Sequence, residues 1–288
     1  MKIMFHTNNH LGDVVIMTAV IANLKSCYPD IEFGIDTAPH YMEVFDGNPN
    51  ISRFKKEEAD HYVECVYAPF SQKTANGGSC IRAFTMNAFG VVNRITGRNE
   101  FCLLRTTAEL YPTDHLDGCG DYCVINANCQ KCSETKAYPY YQEIVDSRPD
   151  IKFIQVGGAE ERDITSDLTG VLDARGKTTV KELIGLVSHA KWVISPPSAV
   201  VHIASAFPSV KTIVLSGARE PVELTQYPNT THLTSMCIDG WNRNKGCMKF
   251  FMRPIDSRTC TRAFMEKGRK YPQCMCDIKK DDVCALLK

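Results

Sequence analysis

The chain has 288 residues, a mass of 32.2 kDa, and equal numbers of Lys plus Arg and of Asp plus Glu, 33 of each. This length is sufficient for one large or two medium domains. With 44% hydrophobic residues and no net charge, the composition is typical of a globular protein. It argues against a chain that is basic throughout and against an acidic, disordered one.

Two further features of the composition bear on location and redox state. No apolar run approaches the roughly 18–20 residues of a membrane span, and the first residues lead directly into a predicted strand. We therefore expect no transmembrane segment, no signal peptide and a cytoplasmic protein. The 14 cysteines are many for a chain of this size. In a reducing compartment they indicate free thiols or a metal site rather than disulfides.

The first part of the chain predicts a strand, a helix and a second strand. Residues 2–6 form the first strand, and a polar loop containing Gly12 and Asp13 follows. Apolar residues from Val14 to Leu24 then recur at helical spacing, and the helix is expected to end before Pro29. Residues 32–35 form the second strand. This order is typical of the opening of a parallel α/β unit.

A second α/β series begins near Asp121. Residues 61–67 before it alternate like a half-buried strand, and residues 71–79 are polar and rich in turn formers. The second series has four predicted strands and three predicted helices. The strands are 122–125, 153–156, 192–194 and 212–215, and the helices begin at Pro139, at the capping box Thr179–Glu182 and at Ser198. We predict two domains, residues 1–115 and 116–235.

The last part of the chain, residues 236–288, has a different composition. It shows little strand or helix pattern before a predicted terminal helix near 281–287. Residues 241–270 hold nine Lys or Arg against two Asp or Glu. The basic side chains could contact phosphate on a lipid-linked glycan or on nucleic acid, and the candidates are Arg243, Lys245, Lys249 and Arg253.

The cysteines of this segment predict a metal site. Four thiolates satisfy a tetrahedral zinc or iron ion, which can organise a segment without a core of its own. The expected ligands are Cys237, Cys247, Cys260 and Cys274, with Cys276 in reserve. The alternative is a set of buried free thiols. Cys129-x-x-Cys132, with Cys119 and Cys123 nearby, could form a second metal site or a redox pair, but we favour coincidence in a cysteine-rich chain.

Polar residues at the predicted strand ends are the candidate functional groups, because ligands of α/β proteins bind at the carboxyl ends of parallel strands. Asp13 could cap the first helix or act as a general base, and its position alone favours the cap. Lys136 precedes the Pro139 helix and could bind phosphate, although spacing alone favours a solvated lysine.

Two further candidates follow later strands. Glu160 comes after Gly157 and Gly158, where a carboxylate could accept hydrogen bonds from ribose hydroxyls. His202 lies in a helix of small residues behind Pro196 and Pro197. A buried, hydrogen-bonded histidine is the common outcome there, and a histidine beside phosphates is the alternative. The chain has neither a G-x-G-x-x-G motif nor a P-loop.

Together, five segments in order resemble glycosyltransferase family 9, the heptosyltransferase-like enzymes. They are Leu11-Gly-Asp13 with the helix after it, Lys136-Ala-Tyr-Pro139, Gly158-Ala-Glu160, Asp173-Ala-Arg-Gly-Lys-Thr, and Ser198-Ala-Val-Val-His202. The resemblance covers roughly residues 1–221. The cysteine-rich tail is similar to a subgroup with a four-cysteine iron finger, although the cysteine spacings here differ from that finger.

The resemblance implies a GT-B fold, that is, two Rossmann-like α/β domains facing across a cleft, here with an irregular cysteine-rich C-terminal appendix. It implies an inverting transfer of sugar, without a catalytic metal, from an ADP- or UDP-sugar donor to a hydroxyl. Asp13 would be the base and Lys136 would hold the donor diphosphate. The other implied donor-binding residues are Gly12, Gly158, Glu160, Ser198 and His202.

One departure from the family pattern concerns the donor pocket. The family has an Asp and a Gly around its Ser or Thr before the histidine, where this chain has Pro197, Ser198 and Ala199. The donor therefore need not be ADP-heptose. The acceptor is open between a bacterial glycan, a protein hydroxyl and, for a phage-encoded enzyme, a hydroxymethylated DNA base. A non-catalytic nucleotide-sugar-binding protein is a further alternative, and the sequence does not define the oligomeric state.

Overall fold

The structure is a computed structural model. It describes residues 1–7, 10–65, 78–112, 121–127, 136–159, 167–218, 220–235, 260, 262–266 and 269–288. The boundary predicted between 115 and 116 lies outside these residues and stays a prediction. None of the helices in the described ranges combines the length and apolar character needed to span a bilayer.

The first part of the chain forms a three-stranded parallel sheet. Its strands are β1 (Lys2–Thr7), β2 (Glu32–Asp36) and β3 (His61–Cys65), in the order β2-β1-β3. Helix α1 (Leu11–Cys27) connects β1 to β2, and α2 (Cys80–Thr96) follows β3. The strand-helix-strand opening predicted from the sequence is confirmed.

The second part forms a six-stranded parallel sheet in the order β6-β5-β4-β7-β8-β9. Its strands are β4 (Tyr122–Ile125), β5 (Lys152–Gln155), β6 (Leu172–Asp173), β7 (Trp192–Ser195), β8 (Lys211–Gly217) and β9 (Thr230–Thr234). Helices α3 (Tyr141–Ser147), α4 (Val180–Ser188) and α5 (Ala199–Ala204) connect them. Two parallel sheets with connecting helices confirm the α/β fold class.

The central strands of this sheet are buried on both faces, which explains why they read as short apolar runs. Val124 and Val193 belong to the core that also contains residues of α4 and α5. Ile125 and Ile194, one position further along, face the other side with residues of α3. The Thr179–Glu182 capping box at the start of α4 is present, with Thr179 Oγ1 accepting from Glu182 N at 3.2 Å.

Helix α1 is buried around its whole circumference and is mostly apolar. Ten of its residues between Val14 and Leu24 are buried, a pattern typical of a helix enclosed by other elements. It packs on α2 and on α5 of the second part, and its apolar side chains share a core with those of the first sheet. Residues of both sheets therefore belong to one continuous apolar core.

A second contact joins the two parts at α4. A 3-10 turn (Pro39–Phe45) after β2 packs against α4, and Glu43 Oε2 accepts a hydrogen bond from the backbone N–H of Lys181 at 2.9 Å. Because the first helical N–H groups have no partner within their helix, a carboxylate is favourable there.

The segment after α2 runs back along α1 and is fixed by two buried polar side chains. Asn23 donates to the carbonyl of Arg105 at 3.0 Å and accepts from its N–H at 2.7 Å. Thr18 Oγ1 accepts from Glu109 N at 2.9 Å. Ala108 N then donates to Ser205 Oγ of the second part at 3.1 Å. The polar groups of α1 thus hold this connecting segment in place.

The C-terminal segment is more regular than the sequence predicts. It contains an antiparallel hairpin of β10 (Ala263–Glu266) and β11 (Arg269–Pro272), followed by α6 (Gln273–Cys276) and α7 (Lys280–Leu286). The expected terminal helix is α7. Met275, Val283 and Leu287 are buried in the core beneath the second sheet. The prediction of an irregular segment before this helix is therefore wrong for residues 269–276, because side chains such as Cys274 and Met275 join that core.

The sequence interpretation also left α2 unassigned, although its signals are present. Ser79 caps its start by accepting from Arg82 N at 3.2 Å, and Gly97 ends it with φ of 69°. Ile81, Phe84 and Phe89 lie on its buried face. Gly at this position is favoured because an L-residue with a side chain is strained at positive φ.

We expect the Asn23→Ala substitution to lower the free energy of unfolding by about 2 kcal/mol, because the backbone groups of Arg105 lose their buried partner. Urea unfolding followed by circular dichroism measures this. The exposed Asn99→Ala is the matched control and should change stability by less than about 0.5 kcal/mol. Equal stability of both variants would contradict the role assigned to Asn23.

Candidate functional site

Asp13 lies in the first turn of α1 as the third helical residue. The N-cap is His10, whose side chain makes no capping hydrogen bond, so the interpretation of Asp13 as the helix cap is wrong. Burial raises the pKa of Asp13 to about 7. Within the described residues its carboxyl group has no hydrogen-bond or ion-pair partner. A carboxyl group with a pKa near neutrality is suited to accept a proton.

Gly12 brings this first turn directly against α5. A Cβ atom added at Gly12 would lie 3.4 Å from His202 Cδ2 and 3.7 Å from Ala199 Cα. The missing side chain therefore allows the two helices to approach each other. Gly12 was predicted to bind the donor, and the structure places it at the contact between the first and second parts of the chain.

Lys136 lies close to the ends of two other strands. Its Nζ donates to Glu220 Oε1 at 2.6 Å and to the carbonyl oxygen of Pro197 at 2.7 Å. The side chains of Lys136 and Glu220 are 16% and 6% exposed. The expectation of a solvated lysine from spacing alone is therefore wrong. Helix α3 begins at Tyr141, so Pro139 lies in the turn before the helix and not within its first turn.

Ser198 belongs to a small hydrogen-bonded network of strand-end side chains. Asn126, directly after β4, donates to Ser198 Oγ at 3.0 Å and to Ser195 Oγ at 3.3 Å. The two serine hydroxyls are 2.9 Å apart. Ser198 is the N-cap residue of α5, yet its side chain does not cap the helix. The network fixes the β7 loop against the end of β4.

His202 is a buried residue inside α5. Its Nδ1 lies 2.6 Å from Tyr227 Oη. Burial, together with the nearby charge of Lys136, lowers the pKa of His202 to about 4. The imidazole is therefore neutral at physiological pH and contributes shape and hydrogen bonding rather than positive charge. Gly12 lies close to this ring, and the charge of Lys136 lowers its pKa. His202 therefore lies between the first turn of α1 and Lys136.

The loop after β5 is only partly described. Gly158 is within the described residues, while Glu160, the predicted ribose contact, lies outside them. The backbone of Gly176 donates to Gly157 O at 2.9 Å. Gly176 has φ of 64°, and a Cβ atom there would lie 2.6 Å from the Cβ of Ala159. A glycine is thus required for this loop to close against the segment after β6.

The predicted metal site is not assembled by the described residues. Cys237 and Cys247 lie outside them, as do the basic residues Arg243, Lys245, Lys249 and Arg253. Cys260 and Cys274 are described, and no group of three potential ligands occurs among the residues that the structure covers. Cys274 is buried behind β8, where a Cβ atom on Gly217 would lie 3.1 Å from its Sγ. The metal site stays a prediction.

Glu220 and Asn126 are the residues of this region that the sequence interpretation missed. Both follow strands of the second sheet closely, Asn126 immediately after β4 and Glu220 three residues after β8. Since the carboxyl ends of parallel strands share one edge of the sheet, strand-end position was the signal that could have identified them. Together with Lys136 and Ser198 they form a polar edge beside the start of α5, the helix that Gly12 approaches.

Comparison with solved structures identifies the fold. E. coli ADP-heptose LPS heptosyltransferase II matches with a TM-score of 0.66 at 12% identity, over 100% of this chain and 97% of its own. The iron-containing dodecameric glycosyltransferase TibC from enterotoxigenic E. coli H10407 matches with a TM-score of 0.68 at 15% identity, over 99% of this chain and 75% of its own.

A glycosyl transferase family 9 protein from Veillonella parvula matches with a TM-score of 0.58 at 12% identity, over 82% of this chain and 86% of its own. Identities this low show the fold alone. The GT-B fold implied by the resemblance to family 9 is therefore confirmed. No protein-family model and no curated protein matches the chain.

The raised pKa of Asp13 predicts a pH-dependent difference in stability. The folded protein keeps the Asp13 proton between about pH 4 and 7, while the unfolded chain releases it. Folding is therefore linked to proton binding in this window, and the contribution of Asp13 becomes less favourable as pH rises through it. We expect Asp13→Asn to melt higher than the wild type at pH 8 and to converge with it near pH 4.

Differential scanning fluorimetry between pH 4 and 9 measures both melting curves. Exposed Glu32→Gln on β2 is the matched control and should follow the wild type at every pH. Parallel curves for wild type and Asp13→Asn would show that Asp13 ionises normally.

Proposed function

We propose that the chain is a glycosyltransferase that moves a sugar from a nucleotide-sugar donor to a hydroxyl group. The observation that carries the proposal is Asp13, a carboxyl group with a pKa raised to about 7 in the turn that contacts α5. Lys136, at the carboxyl edge of the second sheet, supplies the complementary cation. A base and a cation on opposite parts of the fold suit displacement of a diphosphate by a hydroxyl.

In the proposed reaction, the Asp13 carboxylate accepts the proton of the acceptor hydroxyl as its oxygen attacks the anomeric carbon. The bond from that carbon to the nucleotide diphosphate breaks, and the diphosphate leaves with the bonding electrons. Lys136 offsets the negative charge that develops on the leaving group. A single displacement of this kind inverts the anomeric configuration and draws its charge compensation from Lys136 rather than from a catalytic metal.

The donor we propose is an ADP-sugar. TibC, which shares the fold, has been solved with ADP-D-beta-D-heptose, and WaaC of E. coli with ADP. Ser198 is part of the polar edge at which the diphosphate and ribose would lie. We propose that Gly158 contacts the donor there and that Glu160 binds the ribose. His202 would pack beside them as a neutral ring.

We expect Asp13→Asn to lower kcat by about 10²–10⁴-fold while retaining donor binding, because it removes the base but preserves the side-chain shape. ADP release from ADP-D-beta-D-heptose measures the rate, with a bacterial glycan, a Ser/Thr-rich peptide and hydroxymethylated DNA as acceptors. For the wild type, kcat/KM should fall about tenfold per pH unit below pH 7. Full activity of Asp13→Asn would exclude Asp13 as the base.

We expect Lys136→Ala to weaken ADP binding by about tenfold or more, because the diphosphate loses its cation. Isothermal titration calorimetry measures the affinity. Lys191→Ala, which removes an exposed lysine paired with Asp121, is the control and should leave the affinity unchanged. Equal ADP affinity in wild type and Lys136→Ala would argue against this location of the diphosphate.

A further inference from the structure

We propose that Glu220 limits the affinity of the site for the nucleotide diphosphate by neutralising Lys136, and so promotes release of the product. This inference rests on the proposed function, because it assigns the partner of the lysine that binds the diphosphate. Glu220 is a positioning and charge-setting residue, and it acts through Lys136.

The geometry of the pair supports this assignment. Glu220 Oε1 lies 2.6 Å from Lys136 Nζ, and its side chain is 6% exposed. The second contact of the ammonium group is the Pro197 carbonyl at 2.7 Å. An ammonium group has three N–H donors. Among the described residues these two contacts hold it in a fixed direction and leave one donor for a phosphate oxygen.

The end of β8, three residues before Glu220, packs closely against the C-terminal segment. Gly217 at the end of β8 has φ of 55°, and a Cβ atom there would lie 2.6 Å from Met275 Sδ. Helix α6 therefore packs closely against the strand end that leads into Glu220. The Glu220 carboxylate is itself buried against Lys136, and it cannot be regarded as a surface group that happens to meet a lysine.

Charge then determines the effect on the ligand. A buried carboxylate beside Lys136 brings the local charge of the pair to zero, and the attraction for a diphosphate is weaker than a lone lysine would give. The free nucleoside diphosphate produced by transfer carries more negative charge than the sugar-linked donor. Neutralising Lys136 in part therefore weakens the binding of the product more than that of the donor.

The Glu220→Gln variant tests this because the amide preserves size and an acceptor oxygen but removes the charge. Isothermal titration calorimetry with ADP and with inorganic pyrophosphate is applied to wild type, Glu220→Gln and Lys136→Ala. We expect Glu220→Gln to bind ADP at least about fivefold more tightly, with a lower kcat. If Glu220 had only a structural role, Glu220→Gln would not tighten ADP binding.

The control on the same loop is Glu223→Gln, whose carboxylate lies in the 3-10 turn Val222–Thr225 and should leave ADP affinity unchanged. Because removing one member of a buried ion pair can destabilise a fold, Glu220→Ser serves as the second variant. Its small side chain lets water replace the carboxylate, and the expected sign is the same.

The outcomes separate this inference from the proposed function. If Lys136→Ala weakens ADP binding while Glu220→Gln and Glu220→Ser leave it unchanged or weaken it, the role of Glu220 is overturned and the diphosphate site stands. If the wild type binds neither ADP nor pyrophosphate, both are overturned. Tighter binding in Glu220→Gln that disappears in the Lys136→Ala background supports the inference.

Discussion

The enclosure of α1 is the constraint on which the arrangement of the molecule depends. A helix that is buried on every side must be surrounded, and here α2, α5 and the apolar residues of the first sheet surround it. The two sheets consequently share one core, and a second core lies on the other face of the second sheet. Burial stabilises each large apolar side chain by about 1.5–3 kcal/mol. Separating the two parts would therefore expose apolar side chains that stabilise both of them.

The chemical groups of the site depend on this arrangement. Asp13 is partly buried because the helix that carries it is enclosed, and this burial raises its pKa. Gly12 sets how closely the same turn approaches His202. On the opposite side, the β7 and β8 loops hold Lys136. The base and the cation are therefore positioned by different parts of the fold. The contact of α1 with α5 sets the position of Asp13 relative to Lys136.

Much of the fold could be predicted because its strands and α1 have local signals. Short apolar runs gave β4, β7 and β8, and spacing from Val14 to Leu24 gave α1. The ion pair of Lys136 with Glu220 could not be predicted in this way, since it joins loops that are distant in sequence. The pKa of Asp13 depends on what packs around it. The regular structure of the C-terminal segment could not be predicted either, because Cys274 and Met275 are buried by contacts with the distant second sheet.

The contact of Lys136 with Pro197 has a consequence for how related sequences are compared. The lysine uses the main-chain oxygen of Pro197, which every amino acid possesses, and the carboxylate beside it comes from a different loop. A substitution at position 197 can therefore look like the loss of a motif in an alignment, although Lys136 still donates its hydrogen bond to the main-chain oxygen of that residue. Inheritance of this site is better traced by whether positions 136 and 220 change together than by the side chain at 197.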